Sequence, residues 1–496
     1  MIKKSNIYTH VLLSLTFIIV NLITLNNQVP WIDEVMFLDT SYNAAVHGSW
    51  ETTAWYRVAG QSPFPTYPPL YQMLAAVWIW LLGGSLIAVR SLNLIITLIL
   101  GAAILRLMER QGLQLTPWTT ALFTVLLWGT SEMAWMYRNG RPDLLCALVF
   151  VFTIQAARNY LLAKSAAARI AVIAASALLT CSGIQAAVYL CGIWLFFFVA
   201  MKEQRKVGIR LLGLLLTGIL LGMLLVALFM LAHGRLVAFA CSIIQYSATL
   251  SNFALVVVPW AGRVLGFTPT PYIDKLLELS TAPGFRERFA SIMEYSSYLI
   301  LSAIALVAYI TWFRHHSRNG LSRQGFLLLL CALYVPFIMN FAGRFPAYYR
   351  WMAFLPLLAA IMQVAARHRL WCSVFGVVAM LLSASGIRSM LPEGHWDYGN
   401  LRRFVQRQHF APSDAVVCPF SLFYEIKPVC DTCYFVGVFP TEFLERVDYV
   451  IEAADDDGLI ADYVNGLKAD TAVVLTAIDR CEHPSLTLYQ VQTTHE

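Results

Sequence analysis

The chain has 496 residues, 58% of them hydrophobic and 13% charged, where a soluble domain carries about a quarter charged residues. That balance excludes an ordinary soluble protein. Apolar runs recur along 8–390, many long enough for a bilayer core of about 30 Å, and mark a polytopic α-helical membrane protein. The net charge of +6 does not point to nucleic acid, because Lys and Arg cluster in short loops between the runs.

Those clusters set the topology, since Lys and Arg concentrate in loops on the inner side. The first run, "YTHVLLSLTFIIVNLITL", follows Lys3 and Lys4 and has no small-residue cleavage site. It reads as an uncleaved anchor with its N-terminus inside. The chain leaves it through "NNQVPWIDEVMFLD", which puts Asp33 and Glu34 outside. Next comes "YPPLYQMLAAVWIWLLGG", 67–84. Its apolar part is about 15 residues, below the roughly 20 that a span needs, and Tyr and Trp crowd it. A helix lying in or dipping into the outer interface is expected there; if it crossed instead, every later basic cluster would face outward. The span "AVRSLNLIITLILGAAIL" ends inside at Arg106 and Arg110, and "TPWTTALFTVLLWGTSEMAW" leads out to "YRNGRPDLL". A return through 144–157 reaches Arg158, Lys164 and Arg169. The run 169–200 is too long for one crossing and is interrupted at Gly183 and Gln185, which reads as an outward and an inward helix ending at "KEQRK". Crossings at 208–231, 295–313, 324–341, 349–366 and 370–388 complete eleven spans, with the C-terminus outside.

The character changes at 391. "EGHWDYGNLRRFVQRQHFAPSD" is polar and helical, and strand-like runs follow in "DAVVCP", "CYFVGV", "VDYVIEA", "TAVVLTA" and "LTLYQV", with a helical stretch at 457–468. Residues 391–496 read as a small extracytoplasmic α/β domain after a transmembrane domain at 1–390. The domain holds Cys418, Cys430, Cys433 and Cys481. In an oxidising compartment four cysteines allow three pairings, and at least one disulfide is expected over four thiols. Cys430 and Cys433 have CxxC spacing, but no second CxxC accompanies them to make a zinc site.

On this topology the outer face gathers the reactive side chains. The first outer loop offers Asp33, Glu34, Asp39, His47, Arg57 and Tyr67; the second offers Arg138, Arg141 and Asp143. A long loop, 233–290, carries His233, Arg235, Arg263, Asp274 and Lys275, and a further one carries Arg344, Tyr348, Tyr349 and Arg350. Arginine on the outer side opposes the positive-inside trend and suits a phosphate held bidentately at the lipid interface. Each residue also has a plainer reading. Asp33 ahead of Val35, Leu38, Tyr42, Ala45 and Val46 looks like a helix N-cap with Glu34 in the first turn. Asp143 after Pro142 suits a first helical turn, Arg344 and Arg350 suit interfacial anchors, and His47 before Gly48 suits a helix end.

The order of these features resembles the GT-C superfamily of polyprenyl-phosphate-sugar-dependent glycosyltransferases. The branch in view contains protein O-mannosyltransferases and the aminoarabinose transferase of lipid A. Four stretches carry the resemblance, within residues 8–370: "WIDEVMFLDTSYNAAVHGSW", "YPPLYQMLAAVWIWLLGGSLIAVRSLNLI", "RNGRPDLLCALVF" and "YYRWMAFLPLLAA". It implies Asp33 as catalytic base, Glu34 as its neighbour in the acidic motif, and Asp143 as a second acidic position facing the same cavity. It also implies Arg141 and Arg350 beside the donor phosphate; Arg138, Tyr67 and Tyr349 on the same outer face are further candidates for substrate binding. Many relatives have His or a Glu-Lys pair just before the Pro, where this chain has Thr66 and Tyr67. No organic cofactor is implied, and a divalent cation is the one the family pattern leaves open, without assigned ligands.

The resemblance implies an enzyme of the plasma or bacterial inner membrane. It would pass one sugar from a polyprenyl phosphate (undecaprenyl, decaprenyl or dolichyl) to a cell-envelope acceptor on the outer face, with inversion. Lipid A, lipopolysaccharide, another glycan and a protein are all open as acceptors; membrane lipids are partners and nucleic acid is not. A lipid-linked sugar flippase or a non-catalytic membrane protein is the rival. Transporters set ionisable residues within spans near the midplane, whereas here the acidic residues lie at outer ends.

Overall fold

The computed structural model describes residues 4–55, 64–187, 189–190, 205–240, 296–316, 320–341, 349–388, 390–391, 397–435, 446–453, 459–470, 473–482 and 484–493. In chain order the helices are α1 (Lys4–Thr24), α2 (Ile32–Val46), α3 (Leu70–Leu82), α4 (Leu86–Arg110), α5 (Pro117–Gly129), α6 (Ser131–Tyr137), α7 (Asp143–Ala163) and α8 (Ala166–Ser182). They continue with α9 (Arg205–Ala232), α10 (Ser296–His316), α11 (Gly320–Phe341), α12 (Trp351–Ala365) and α13 (Arg369–Arg388). Among the described residues, Ser5–Asn27, Leu86–Arg110, Asp143–Ala163, Lys206–Ala232 and Arg369–Arg388 are long and apolar enough to cross a membrane. The chain is a multi-pass membrane protein.

Helix α3 has 13 residues, which at about 1.5 Å rise each falls well short of a bilayer core of about 30 Å. Its Val77, Trp80, Leu81 and Leu82 are exposed. The run read as one span over 116–135 is two helices. It breaks at Thr130, whose backbone is extended (φ −80°, ψ 142°) and whose hydroxyl bonds back to the Leu126 carbonyl at 3.0 Å. The break at Gly183 is where α8 ends; most of the inward helix expected after it, up to residue 200, lies outside the described residues, so the expected eleven spans are not all represented.

Neighbouring helices pack in a chain, α1 on α4 and α5, α4 on α7, α7 on α8, α8 on α9, α5 on α13, and α12 on α11 and α13. Buried polar contacts pin α1 in place. His10 Nδ1 meets Thr124 Oγ1 at 2.9 Å, and Trp128 Nε1 donates to Ser14 Oγ at 2.9 Å. With no water in a bilayer core, such groups need protein partners, and each one fixes the rotation of its helix.

The C-terminal region adds α14 (Tyr398–Arg407), β1 (Ala415–Val417), α15 (Phe423–Ile426), β2 (Thr432–Tyr434), β3 (Tyr449–Ala453), α16 (Leu459–Ala469), β4 (Val473–Glu482) and β5 (Ser485–Thr493). The sheet order is β2-β1-β3-β5-β4, with β1 parallel to β2 and β3, and β5 antiparallel to β3 and β4. Strand alternation divides the side chains. Val417 and Val450 pack under α16 with Ile460 and Val464. Val416, Cys418, Ile451 and Leu488 face the other way and join one apolar core with the membrane helices. The sheet is therefore seated on the helical body.

Candidate active site

Helix α2 starts after Trp31, an extended N-cap residue without a side-chain cap bond. Asp33 is thus not the cap, contrary to the sequence reading, and lies with Glu34 in the first turn, where negative charge favours the helix dipole. Consecutive helical side chains diverge by about 100°, so the two carboxylates go different ways. Glu34 is fully buried, while the Asp33 side chain keeps 29% exposure.

Glu34 is gripped from two elements. Arg90, on α4, donates from Nε to Oε1 at 2.8 Å and from Nη2 to Oε2 at 2.7 Å, and its Nη1 reaches the Leu25 and Gln28 carbonyls at 2.8 and 3.0 Å. Tyr424, on α15, donates to Glu34 Oε1 at 2.8 Å. Burial first, then the Glu34 carboxylate, holds the Tyr424 hydroxyl well above its ordinary range, so it remains a donor.

Asp33 instead belongs to a second group. Arg141 donates from Nη1 to Asp33 Oδ2 and from Nε to Asp143 Oδ2, the latter at 2.9 Å, so one guanidinium bridges two carboxylates. Its Cζ lies 5.1 Å from the Trp31 ring centroid and 5.4 Å from that of Phe37, within cation–π range of both rings. Asp143 opens α7 directly after Pro142. The turn between α6 and α7 is held by Asn93 Nδ2, which donates to the Asn139 and Arg141 carbonyls at 2.5 and 3.0 Å. Gly140 lets this turn lie on α2: a Cβ there would meet Leu38 Cδ1 and stand 3.1 Å from Glu34 Cγ.

The far half of α2 is held by the C-terminal region. Asp39 Oδ2 accepts from Thr52 Oγ1 at 2.5 Å and from the Thr53 amide at 3.0 Å, and Lys427 Nζ lies 3.1 Å from Asp39 Oδ1, both side chains buried. Burial pulls the Lys427 ammonium down, but Asp39, together with Cys433 and Tyr42, more than offsets it, so the group stays charged. Thr53 Oγ1 also donates to the Cys433 carbonyl. His47 ends α2, its amide bonding to the Asn43 carbonyl at 2.8 Å.

Tyr67 stands edge-on to Phe37, ring centroids 5.1 Å apart, and its hydroxyl accepts from Gln185 Nε2. Burial first, then Cys146, Tyr349 and Asp143, push this hydroxyl well above its ordinary range, so those side chains share one neighbourhood. Arg350, half-buried, immediately precedes α12. Arg138 is drawn to α1 instead, donating to Asn21 Oδ1 at 2.8 Å and Thr24 Oγ1 at 2.9 Å. Arg57, Arg263, Asp274, Lys275, Arg344 and Tyr348 lie outside the described residues. Among the described residues no three His, Cys, Asp or Glu side chains converge as metal ligands, and Arg141 sits between Asp33 and Asp143.

Sequence reading missed Arg90, Asn93, Tyr424 and Lys427. For Arg90 there was a signal, a lone cation inside an apolar span, which demands a partner. For Tyr424 and Lys427 there was none.

No protein-family model matches the chain, and no curated protein matches it by sequence. Solved structures do. ArnT from Cupriavidus metallidurans in the apo state aligns over 97% of both chains at 10% identity, with a TM-score of 0.47. The Archaeoglobus fulgidus oligosaccharyltransferase in its apo form aligns over 90% of this chain and 69% of its own, at 10% identity and a TM-score of 0.51. The same archaeal protein in complex with zinc and sulfate gives 12% identity over 90% and 68%, with a TM-score of 0.50. At that level the likeness to the archaeal protein is one of fold.

Proposed function

We propose that the chain is an integral-membrane glycosyltransferase, passing a sugar from a polyprenyl phosphate to a hydroxyl or amine of a cell-envelope acceptor at the outer leaflet. The observation that carries this reading is the Asp33–Arg141–Asp143 bridge, in which Asp33 is the carboxylate left part-exposed while Asp143 and Glu34 are buried. The sugar–phosphate bond breaks through an oxocarbenium-like transition state, as in glycoside chemistry. The acceptor attacks the opposite face, giving inversion, and Asp33 takes its proton. The departing phosphate needs positive charge more than an acid. Arg141 beside Asp33 and Arg350 at the start of α12 are the cations assigned to it, with Tyr67 and Tyr349 as the aromatic wall. Glu34, Arg90 and Tyr424 act in this reading as positioning residues that fix the angle of α2, and Arg138 anchors the end of α1.

Two features support an enzyme over a transporter. Arg90 lies near the start of α4 and Asp143 is the first residue of α7, so the buried charges sit at span ends and not near the midplane where transported ions bind. The archaeal neighbour, moreover, is an oligosaccharyltransferase by name. The test is purified protein in detergent with a polyprenyl phosphate sugar and a panel of envelope acceptors. Transfer that Asp33→Asn abolishes without loss of folded protein is the expected result. Undiminished transfer by Asp33→Asn removes Asp33 as the base, and absence of transfer from every polyprenyl phosphate sugar overturns the reading.

A further inference from the structure

The segment that carries Tyr424 and Lys427 to α2 begins and ends at cysteines. Cys418 follows β1 and Cys433 lies in β2, fifteen positions on, with their Sγ atoms 3.2 Å apart and both side chains fully buried. The two strands are hydrogen-bonded neighbours, Val416 opposite Cys433, and the Cys418 amide donates to the Tyr434 carbonyl at 3.1 Å. Val416 and Cys418 share a face by strand alternation. An S–S bond is about 2.05 Å, so roughly 1.2 Å of closure joins the sulfurs, and Cys418 sits just past the end of its strand.

We propose that Cys418 and Cys433 form a disulfide that staples this segment and so holds Tyr424 on Glu34 and Lys427 on Asp39. The proposal rests on the outward placement of the C-terminal region, where disulfides persist. The two thiols give up two protons and two electrons. The disulfide of a thiol–disulfide exchange protein accepts them and leaves as a dithiol, so one S–S bond forms as another breaks. Because both sulfurs are buried in the finished fold, the exchange happens before β1 and β2 close against the helical body.

The other two cysteines are excluded on position. Cys481 lies in β4, three strand spacings from β1, about 14 Å at roughly 4.8 Å per spacing, beyond the reach of a disulfide. Cys430 precedes β2 at the opposite edge, and the sulfur that stands 3.2 Å from that of Cys433 is the one of Cys418. One disulfide and two thiols are therefore expected here. Thr53, which bonds the Cys433 carbonyl, ties the staple to the loop that also holds Asp39.

Full-length protein, purified without reductant, is denatured in an alkylating reagent, digested and read by mass. The expected result is a linked peptide pair joining Cys418 to Cys433, which reductant separates, while Cys430 and Cys481 carry the alkyl label. In native protein, amide exchange across 419–432 should be quicker in Cys418→Ala/Cys433→Ala than in the parent. Alkyl label on both Cys418 and Cys433 overturns the proposal, as does a Cys430–Cys433 link. A linked pair in the parent with unchanged exchange in Cys418→Ala/Cys433→Ala overturns the positioning role. None of these readouts depends on sugar transfer, and a membrane-impermeant label on the C-terminal region reports separately whether the outward placement failed.

Discussion

Tyr424 Oη donates to Glu34 Oε1 at 2.8 Å across 390 positions of sequence, inside the core and opposite Arg90. The hydroxyl comes from the C-terminal region and the carboxylate from the first loop after α1. Helix α2 therefore takes its orientation from both halves of the chain. Asp33, one residue earlier, inherits that orientation, and any change in how the C-terminal region sits is felt at the part-exposed carboxylate.

Tyr424→Phe removes the hydroxyl and keeps the ring. A hydrogen bond to a charged group contributes about 1.5–3 kcal/mol, and Arg90 remains to neutralise Glu34, so the protein should fold with a lowered unfolding midpoint. Transfer should fall in kcat with little change in KM, since a tilt of α2 displaces the base and not the donor contacts. Thermal unfolding and steady-state kinetics on the purified variant check this; an equal rise in KM would assign Tyr424 to substrate contact instead.

Arg90→Met leaves Glu34 buried without its cation. Breaking one side of a buried ion pair costs about 3–5 kcal/mol, whereas replacing both sides with apolar groups is often neutral. Arg90→Met should express poorly, and Arg90→Met/Glu34→Met should recover folded yield. Detergent-extracted yield by size-exclusion chromatography measures both. Arg90→Lys should not rescue, because a point charge cannot make the two parallel bonds at 2.8 and 2.7 Å.

Much of this arrangement was legible in the sequence wherever the signal was local. Hydropathy located the long helices, the short length of 67–84 matched the 13-residue α3, and the five strand-like runs overlap the five strands. The pairing of "WIDE" with "RNGRPD" followed from topology, since both leave spans on one side. What local signals could not carry was direction and distance. Arg138 and Arg141 are three positions apart, yet the turn through Gly140 sends one to α1 and the other to Asp33. Lys427 lies in a stretch whose residues say nothing of Asp39, because a contact across hundreds of positions leaves no periodicity behind it. The break at Thr130 falls in "GTSE", residues 129–132, a short polar stretch that the sequence reading carried inside one span.

Asp33→Asn keeps shape and polarity at a side chain that is 29% exposed. Stability should hardly move, because the lost ion pair is partly screened by solvent. Loss of a positioned general base lowers the rate by about 10²–10⁴-fold, so transfer should fall by that order while unfolding stays within error of the parent. Asp143→Asn, at a buried carboxylate bonded to Arg141 Nε, should lower both activity and stability. Identical losses of stability in the two variants would contradict the different burial of the two groups.

The Lys427–Asp39 pair gives a dependence on pH whose sign is fixed. The folded-state ammonium is raised above its ordinary 10.5, so its contribution is fully present below that value. It is lost as the solution rises through the still higher folded value. Lys427→Met should therefore lower the unfolding midpoint by a constant amount from neutral pH to about pH 10, and the gap from the parent should close only in stronger alkali. Because the methionine leaves Asp39 buried beside Thr52 and Thr53, the double change Lys427→Met/Asp39→Asn should recover part of the loss. Differential scanning fluorimetry in detergent across that range decides it: a gap that closes between pH 7 and 9 would mean that Lys427 titrates early, and that Asp39 does not hold the C-terminal region against α2 as a charged pair.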